Sequence, residues 1–444
     1  MQVRCQMARK SNVIVGLGKT GLSYARFLAA RGENFMVADD NPAEANVMAV
    51  RRISPDAIIG PISVGCLLQA DEIFISPGVP LEHEAVSMAL AKGKSLRGDI
   101  QLFGELAAAP IIGITGTNGK STVSRFVFEL IRDQGKNVSL AGNIGTPCLD
   151  VLAEKVDFHV LEISSYQLEL ATEMKTEISV VLNLVPDHMD RYANEQDYYR
   201  TKLGLYDQTN RAVVNRSMSD GLRWADSAAT FGPDMLFGEN NFGMSVQGEQ
   251  TWLVQGNTRL LLADELQITG THNLQNILAG LAIGWLVGLD MGAMLDTARG
   301  FKGLPHRSEV VGEVDGVTYV NDSKATNPGA LVATVKGQAR GRNIHLIAGG
   351  DSKGLSFDGL SAELGPYLKG VYLIGANYAA LQSEFSGHGT IACDLLATAV
   401  SAAAELATKG DIVLLSPGCA SHDQFQNYVE RGNSFRDLVR RLKP

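Results

Sequence analysis

The sequence predicts an α/β protein of three domains: an N-terminal Rossmann-like domain, a central P-loop ATPase-like domain with a mainly parallel sheet, and a C-terminal Rossmann-like domain. Three observations carry that prediction. Strand-length apolar runs alternate with helix-length segments along the chain. Two glycine loops each sit between such a run and a helix pattern, and 444 residues are too many for one hydrophobic core.

The first domain begins with NVIVGLG and the helical KTGLSYARFLAARG, followed by the runs FMVADD and EIFISPG. PIIGITG followed by KSTVSRFVFELIRDQG opens the second. A third series, NIHLIAGG, GVYLIGA and DIVLLSPG, places glycine at each strand end, where ligand-facing loops lie in such folds. The entry into GDIQLFGELA at Gly98 and the turn-rich GLPHRSE from Gly303 divide the chain into 1–98, 99–304 and 305–444. The apolar stretch from Ile277 to Leu289 is shorter than the roughly 20 residues of a membrane span, and its Ala and Leu content predicts a buried helix.

With 39 Lys and Arg against 48 Asp and Glu the net charge is −9, which excludes a general nucleic-acid surface because counterion release needs clustered cations. Five scattered cysteines (Cys5, Cys66, Cys148, Cys393, Cys419) form no CxxC pair, so neither zinc nor a disulfide framework is expected and a reducing cytoplasm fits. The basic start, MQVRCQMARK, lacks the apolar stretch of a signal peptide. No heptad pattern argues for assembly, so a monomer without membrane attachment is expected.

GLGKTG places Gly16, Gly18 and Gly21 in a G-x-G-x-x-G pattern between a strand and a helix, with Asp39 about 20 residues on, as a dinucleotide fingerprint requires. Glycines let a backbone approach any diphosphate, so the pattern does not choose NAD over another nucleotide. A tight strand-to-helix turn without ligand is the plain alternative.

In GITGTNGKST, Gly119, Lys120 and Ser121 put an ammonium on phosphate and a hydroxyl where magnesium sits in P-loops. The strict spacing would need glycine at 114; the chain has Ile114, with Gly113 and Gly116 on either side, so the loop is a variant. Glu162, ending an apolar strand in FHVLEISSYQLE, suits a magnesium ligand or a solvated strand-end acid.

The segments GTNGKST, AGNIGTP, LEISSYQLE, NLVPDHMDRY, THNLQN, GLPHRSE, VNDSKATNP, AGGDSKG and SPGCASHDQFQNYVERGNSF occur in that order and, with GLGKTG and SPGVP, resemble the Mur ligase family over essentially the whole chain. The match is to the D-glutamate-adding branch of the family. The resemblance explains why there are two glycine loops: the first domain holds the UDP end of UDP-N-acetylmuramoyl-L-alanine, and the second holds ATP. The third brings D-glutamate. It implies ATP-dependent amide synthesis through an acyl phosphate, in peptidoglycan precursor synthesis.

Carried over by residue, the resemblance implies that Gly116, Thr117, Asn118, Gly119, Lys120, Ser121, Thr122, Asn276, Arg307, Asp322 and Lys324 bind ATP. Gly18, Lys19, Thr20, Gly21, Asp39, Ser76, Gly78, Asn143 and His188 are expected on the UDP substrate, and Thr326, Lys353, Ser421, His422 and Tyr428 on D-glutamate. Lys120, Glu162, His188 and Lys202 form the catalytic set. Ser121, Glu162, His188 and Lys202, the last as a carbamate, would hold magnesium, with two ions expected. Taken without the resemblance, Lys202 in DYYRTKLGLYD reads as a helix-surface lysine and His188 as an ordinary loop residue.

After the second strand the chain reads ADDN, so Asp40 and Asn41 stand where the D-glutamate enzymes have Thr and Arg, and the uracil contacts are left open. Competing readings are an L-alanine-adding sibling, whose loop reads HGKTTT, and folylpolyglutamate synthase, which lacks the GLGKTG domain. A nicotinamide-dependent oxidoreductase would account for Gly16, Gly18 and Gly21 alone.

Overall fold

The computed structural model describes residues 11–218, 229–375 and 378–442; the basic N-terminal segment and Cys5 lie outside them. Among the described residues the strands form three sheets.

The first sheet contains β1 (Asn12–Val15), β2 (Phe35–Ala38), β3 (Ile59–Gly60), β4 (Glu72–Ile75) and β5 (Leu96–Arg97), in the order β3-β2-β1-β4-β5. Its pairings are parallel. The order reverses direction at β1, and in such sheets a ligand crevice opens at the carboxyl ends of the strands beside that switch point, which is where GLGKTG lies. Val13, Ile14 and Val15 have no exposed surface, which is why the strand reads as a continuous apolar run.

The second sheet contains β6 (Ile111–Thr115), β7 (Val138–Gly142), β8 (Phe158–Glu162), β9 (Thr176–Val181), β10 (Thr209–Asn215), β11 (Ala229–Phe231), β12 (Asn241–Gln247), β13 (Gln250–Gln255) and β14 (Thr258–Leu262). Their order is β14-β13-β12-β11-β10-β9-β6-β8-β7. The strands β7, β8, β6 and β9 pair in parallel, while β12, β13 and β14 form an antiparallel meander. The helix Thr271–Val287 buries Ile277 through Gly284 without a break, so the apolar run is a core helix.

The third sheet contains β15 (Glu309–Val314), β16 (Val317–Asn321), β17 (Ile344–Gly349), β18 (Leu368–Ile374), β19 (Thr390–Asp394) and β20 (Ile412–Leu415), ordered β15-β16-β20-β17-β18-β19. All pairings are parallel except the β15–β16 hairpin. Apolar clusters cover both faces, one with Leu331, Leu346 and Leu373 and the other with Ile347, Leu415 and Phe435. The parallel α/β expectation for the first and third parts, and for the phosphate-loop end of the second, matches this topology.

By compactness the chain divides into two units, Met1–Gly116 with Val127–Val181 and Tyr199–Val213, and Thr117–Phe126 with Leu182–Tyr198 and Val214–Pro444. No helix among the described residues is long and apolar enough to cross a membrane.

Candidate active site

In the first unit, the helix Lys19–Ala30 starts after Gly18 with no side-chain cap and no acidic residue in its first turn. Its first backbone N–H groups and positive dipole end are therefore available to an anion. Gly16 has φ +85, and Gly21 lies so close to the Gly16 carbonyl that a Cβ there would collide with it. Ser76 Oγ donates to the Gly16 carbonyl at 2.7 Å, and Asn46 Nδ2 to that of Leu17 at 2.7 Å, which fixes the loop.

Asp39 accepts the Leu17 N–H on Oδ2 (2.6 Å) and the Asn41 N–H on Oδ1 (2.8 Å), so each carboxylate oxygen helps build the loop. Its neighbour Asp40 accepts the Ile62 N–H at 2.9 Å and faces His83 Nε2 at 3.0 Å. The backbone hydrogen bond from Ile62, followed by that with His83, holds the Asp40 carboxyl below its ordinary pKa. Of the two residues that depart from the family pattern, Asp40 is thus tied to the 62 and 83 segments and Asn41 to the Asp39 carboxylate.

A cavity of about 480 Å³ lies over this loop, lined among others by Gly18, Lys19, Thr20, Asp39, Ser76, Gly78, Asn143 and Gln167. Every residue expected on the UDP substrate is in that lining except Gly21, which packs beneath the loop, and His188, which belongs to the other unit.

Glu162 ends β8 and is 2 % exposed. Asn143 Nδ2 donates to its Oε1 at 2.6 Å, whereas its buried Oε2 has no hydrogen-bond partner among the described residues. A buried carboxylate oxygen without a donor is costly in a folded chain, and a hard divalent cation would satisfy it. Lys202 is 1 % exposed and donates from Nζ to the Gly116 carbonyl at 3.0 Å, so it is no surface lysine. No cluster of three His, Cys, Asp or Glu side chains able to hold a metal occurs among the described residues.

In the second unit, Thr117, Ser121 and Thr122 are buried at the start of the helix Lys120–Asp133. Lys120 Nζ donates to the Thr117 carbonyl at 2.8 Å, which lays the ammonium along the loop. Gly119 has φ +84, and a Cβ there would stand 2.5 Å from Asn276 Oδ1. The Asn276 amide is in turn oriented by Asn273 Oδ1 at 3.2 Å. Arg307 donates to Ser121 Oγ at 2.7 Å, bringing a guanidinium to the hydroxyl expected to bind magnesium.

A second cavity, of about 510 Å³, is lined by Asn118, Gly119, Thr122, Asn276, Arg307, Asp322 and Lys324 among others. Asp322 accepts from Ser308 N on Oδ1, and from Thr334 Oγ1 and Ser416 Oγ on Oδ2. Burial pushes its carboxyl up to about 6 in spite of these donors.

The GGDSKG and PGCAS loops are joined by a pair of backbone hydrogen bonds between Asp351 and Ala420, at 3.0 and 2.7 Å. This brings together the segments that carry Lys353 and Ser421. Lys353 is exposed at φ +50, Ser421 is 3 % exposed, His422 is exposed, and Tyr428 is half-buried with Lys324 Nζ 4.7 Å from its ring centroid. Thr326 is half-buried on the loop after β16. Cys419 is fully buried with its thiol pushed up to about 12 by burial, as suits packing and not nucleophilic attack.

His188 adopts φ +58, its N–H donating to Asp187 Oδ1 at 2.9 Å. Sequence reasoning did not single out Asp187, Asn327, Tyr198 or Arg431. Tyr198 OH meets Thr117 Oγ1 at 3.0 Å. Arg431 is 1 % exposed and donates to Ser323 Oγ and to the carbonyls of Ser323, Cys419 and Ala420; burial pulls it down to about 10. A lone arginine in a helix pattern gives no sign that it is buried; the one available signal was its i, i+4 spacing to Phe435, which is also buried.

Residues 10–98 match the MurD-like N-terminal domain of Mur ligases, 114–284 the Mur ligase middle domain and 306–419 the Mur ligase glutamate ligase domain. The chain is 41% identical to a UDP-N-acetylmuramoylalanine–D-glutamate ligase of Marinobacter nauticus, covering 98% of both chains. It is also 41% identical to one from Pseudomonas aeruginosa, over 97% of this chain and 98% of that one. Among solved structures, a UDP-N-acetylmuramate-alanine ligase of Thermotoga maritima shares the fold with a TM-score of 0.60 at 15% identity, covering 98% of this chain and 100% of that one. A MurF ligase of the same organism, in complex with ADP, does so with a TM-score of 0.60 at 18% identity, over 98% and 97%. The chain belongs to the Mur ligase family.

Proposed function

We propose that this protein is an ATP-dependent ligase that joins D-glutamate to UDP-N-acetylmuramoyl-L-alanine in peptidoglycan precursor synthesis, working in the cytoplasm as a monomer. The observation that carries the reading is the pair of cavities, each walled by its own glycine loop at a helix start, in a chain whose full-length relatives bear that activity's name. A nicotinamide oxidoreductase needs the first cavity and leaves the second without a use.

In this reading the loop 16–21 and the uncapped helix behind it take the UDP diphosphate, with Asp39, Ser76, Gly78 and Asn143 around it. Thr117 to Thr122 cradle the ATP phosphates, Asn276 and Lys324 frame the nucleotide, and Asp322 takes the ribose. The carboxylate of the UDP substrate attacks the γ-phosphorus in line and expels ADP, with Lys120 and Arg307 facing the charge that builds on the phosphoryl oxygens. The amine of D-glutamate, held by Thr326, Lys353, Ser421, His422 and Tyr428, gives up a proton and attacks the acyl carbon. The tetrahedral intermediate then expels phosphate and leaves the amide.

Magnesium, when bound, supplies positive charge to the phosphoryl oxygens; Glu162, Ser121, His188 and a carbamylated Lys202 would hold it. What supports Glu162 in that role is its unsatisfied buried oxygen, and what supports Lys202 is its burial beside Gly116. Two ions are expected: Glu162 serves one, and His188 is assigned to a second and to the reacting carboxylate on the strength of the PDHMDRY motif.

Mass spectrometry of the reaction tests the assignment. With ATP, magnesium and D-glutamate, the UDP substrate should gain one glutamyl residue as ADP and phosphate appear. ATP consumption that leaves the UDP substrate unaltered would reject it.

A further inference from the structure

Asn327 stands at the N-cap of the helix Pro328–Gln338, and its Oδ1 accepts the Ala330 N–H at 2.8 Å. Its amide has a second use. Nδ2 donates to Asp187 Oδ2 at 3.0 Å and reaches Asn118 Oδ1 at 3.4 Å. The side chain is 3 % exposed, so these contacts are shielded from water.

Both of its partners belong to segments that are themselves locked together. Asn118 N donates to Asn183 Oδ1 at 2.8 Å, Asn183 Nδ2 donates back to the Asn118 carbonyl at 3.0 Å, and Thr117 Oγ1 bonds the carbonyl and N–H of Val185 at 2.9 and 3.1 Å. The phosphate loop and the 183–187 segment thus move as one piece. Asp187 divides its carboxylate, Oδ1 holding the His188 N–H at φ +58 and Oδ2 receiving Asn327. Two residues beyond Asn327, Gly329 packs so closely on the same segment that a Cβ would stand 2.6 Å from Val185 Cγ1.

From this joint we infer that Asn327 is a positioning residue for the ligation, its amide aligning the 322–327 loop with the phosphate loop and with His188. This rests on the proposed function for the identity of the amino acid, since Thr326, beside Asn327, is assigned there to D-glutamate. A carboxylate held in two directions transmits a displacement of the 322–327 loop to the strained His188 backbone. Misplacement of this kind by about 1 Å costs on the order of 100-fold in rate.

Asn327→Asp separates the two uses of the side chain. Aspartate caps a helix about as well as asparagine, but it cannot donate and would face Asp187 with a like charge. We expect kcat to fall about 10- to 100-fold, the KM for the UDP substrate to stay within about twofold, and the melting temperature to fall by a few degrees, since two carboxylates would face each other in a shielded site. In Asp187→Asn/Asn327→Asp the donor and acceptor exchange places, and most of the turnover should return. Should Asn327→Asp fail to fold, Asn327→Ser, which caps and has no amide, carries the same expectation. Wild-type turnover in the single variant would overturn the inference, as would a loss that the double exchange leaves unrepaired. The amino-acid preference of the wild-type protein is measured separately: use of another amino acid would reject the proposed substrate while leaving the Asn327 test to be run with the one that is used.

Discussion

Asn143 Nδ2 holds Glu162 Oε1 at 2.6 Å, while Oε2 of the same carboxylate, buried at the end of β8, has no hydrogen-bond partner among the described residues. An unsatisfied buried acceptor costs about 1–3 kcal/mol, and a cation that fills the position returns that energy as binding. Glu162→Gln keeps the bond from Asn143 and removes the charge. Turnover should fall on the order of 100-fold or more, with saturation shifted to higher magnesium, and the metal-free protein should melt no lower than the parent. Near-normal turnover at low magnesium would remove Glu162 from metal binding.

Lys202→Ala should leave the protein nearly inactive. Short carboxylic acids, whose oxygens can stand in for a carbamate on a hard cation, should restore part of the activity. If the fold is intact and no acid of any size restores turnover, the carbamate assignment fails; mass spectrometry of the intact wild type under carbon dioxide gives an independent reading.

Gly119→Ala places a methyl group against Asn276 Oδ1 in a backbone conformation, φ +84, that costs a non-glycine residue about 1 kcal/mol or more. Either the loop shifts or Asn276 does. The expected result is a rise of tenfold or more in the KM for ATP, on the order of the 1.4 kcal/mol that a factor of ten represents, with binding of the UDP substrate unaltered in calorimetry.

Asp322 has its carboxyl raised by burial to about 6. The folded value lies above the ordinary one of about 3.9, so the fold favours the protonated form: this group's stabilising contribution is complete below about pH 4 and is lost as the pH rises through about 6. Ribose hydroxyls need the ionised form as acceptor. The KM for ATP should therefore rise as pH falls through about 6, while the contribution of this group to stability moves the opposite way. In Asp322→Asn both dependences should flatten, which titration of KM and of melting temperature between about pH 5 and 8 would reveal.

The parallel α/β layers were legible because strands such as NVIV and IHLIAG are buried on both faces and so read as mainly apolar runs, interrupted only by Asn12 and His345. The two loops were legible because glycines between strand and helix carry a mechanism, whereas Ser76, Asn143, Asn276, Arg307, Asp322 and Lys324, which line the two cavities, were named only through the resemblance to the Mur ligase family. What the chain order concealed were contacts between residues far apart in sequence. Asn327 reads as a helix cap, and its amide finds Asp187 140 positions upstream. Arg431 reads as one charge among several on the last helix, and its four carbonyl and hydroxyl acceptors belong to Ser323, Cys419 and Ala420, which stand 108, 12 and 11 residues earlier. Asp40, which departs from the family pattern, finds His83 and the Ile62 N–H, neither of which its neighbours in sequence disclose.

Whether this protein adds D-glutamate is decided by phosphate release measured with ATP, magnesium and UDP-N-acetylmuramoyl-L-alanine, comparing D-glutamate with L-glutamate, L-alanine and L-lysine. Release should depend on D-glutamate and fall by a factor on the order of 1,000 in Lys120→Ala, whose lost ammonium acts on transition-state charge. Equal release with another of these amino acids, or a near-normal rate in Lys120→Ala, would contradict it.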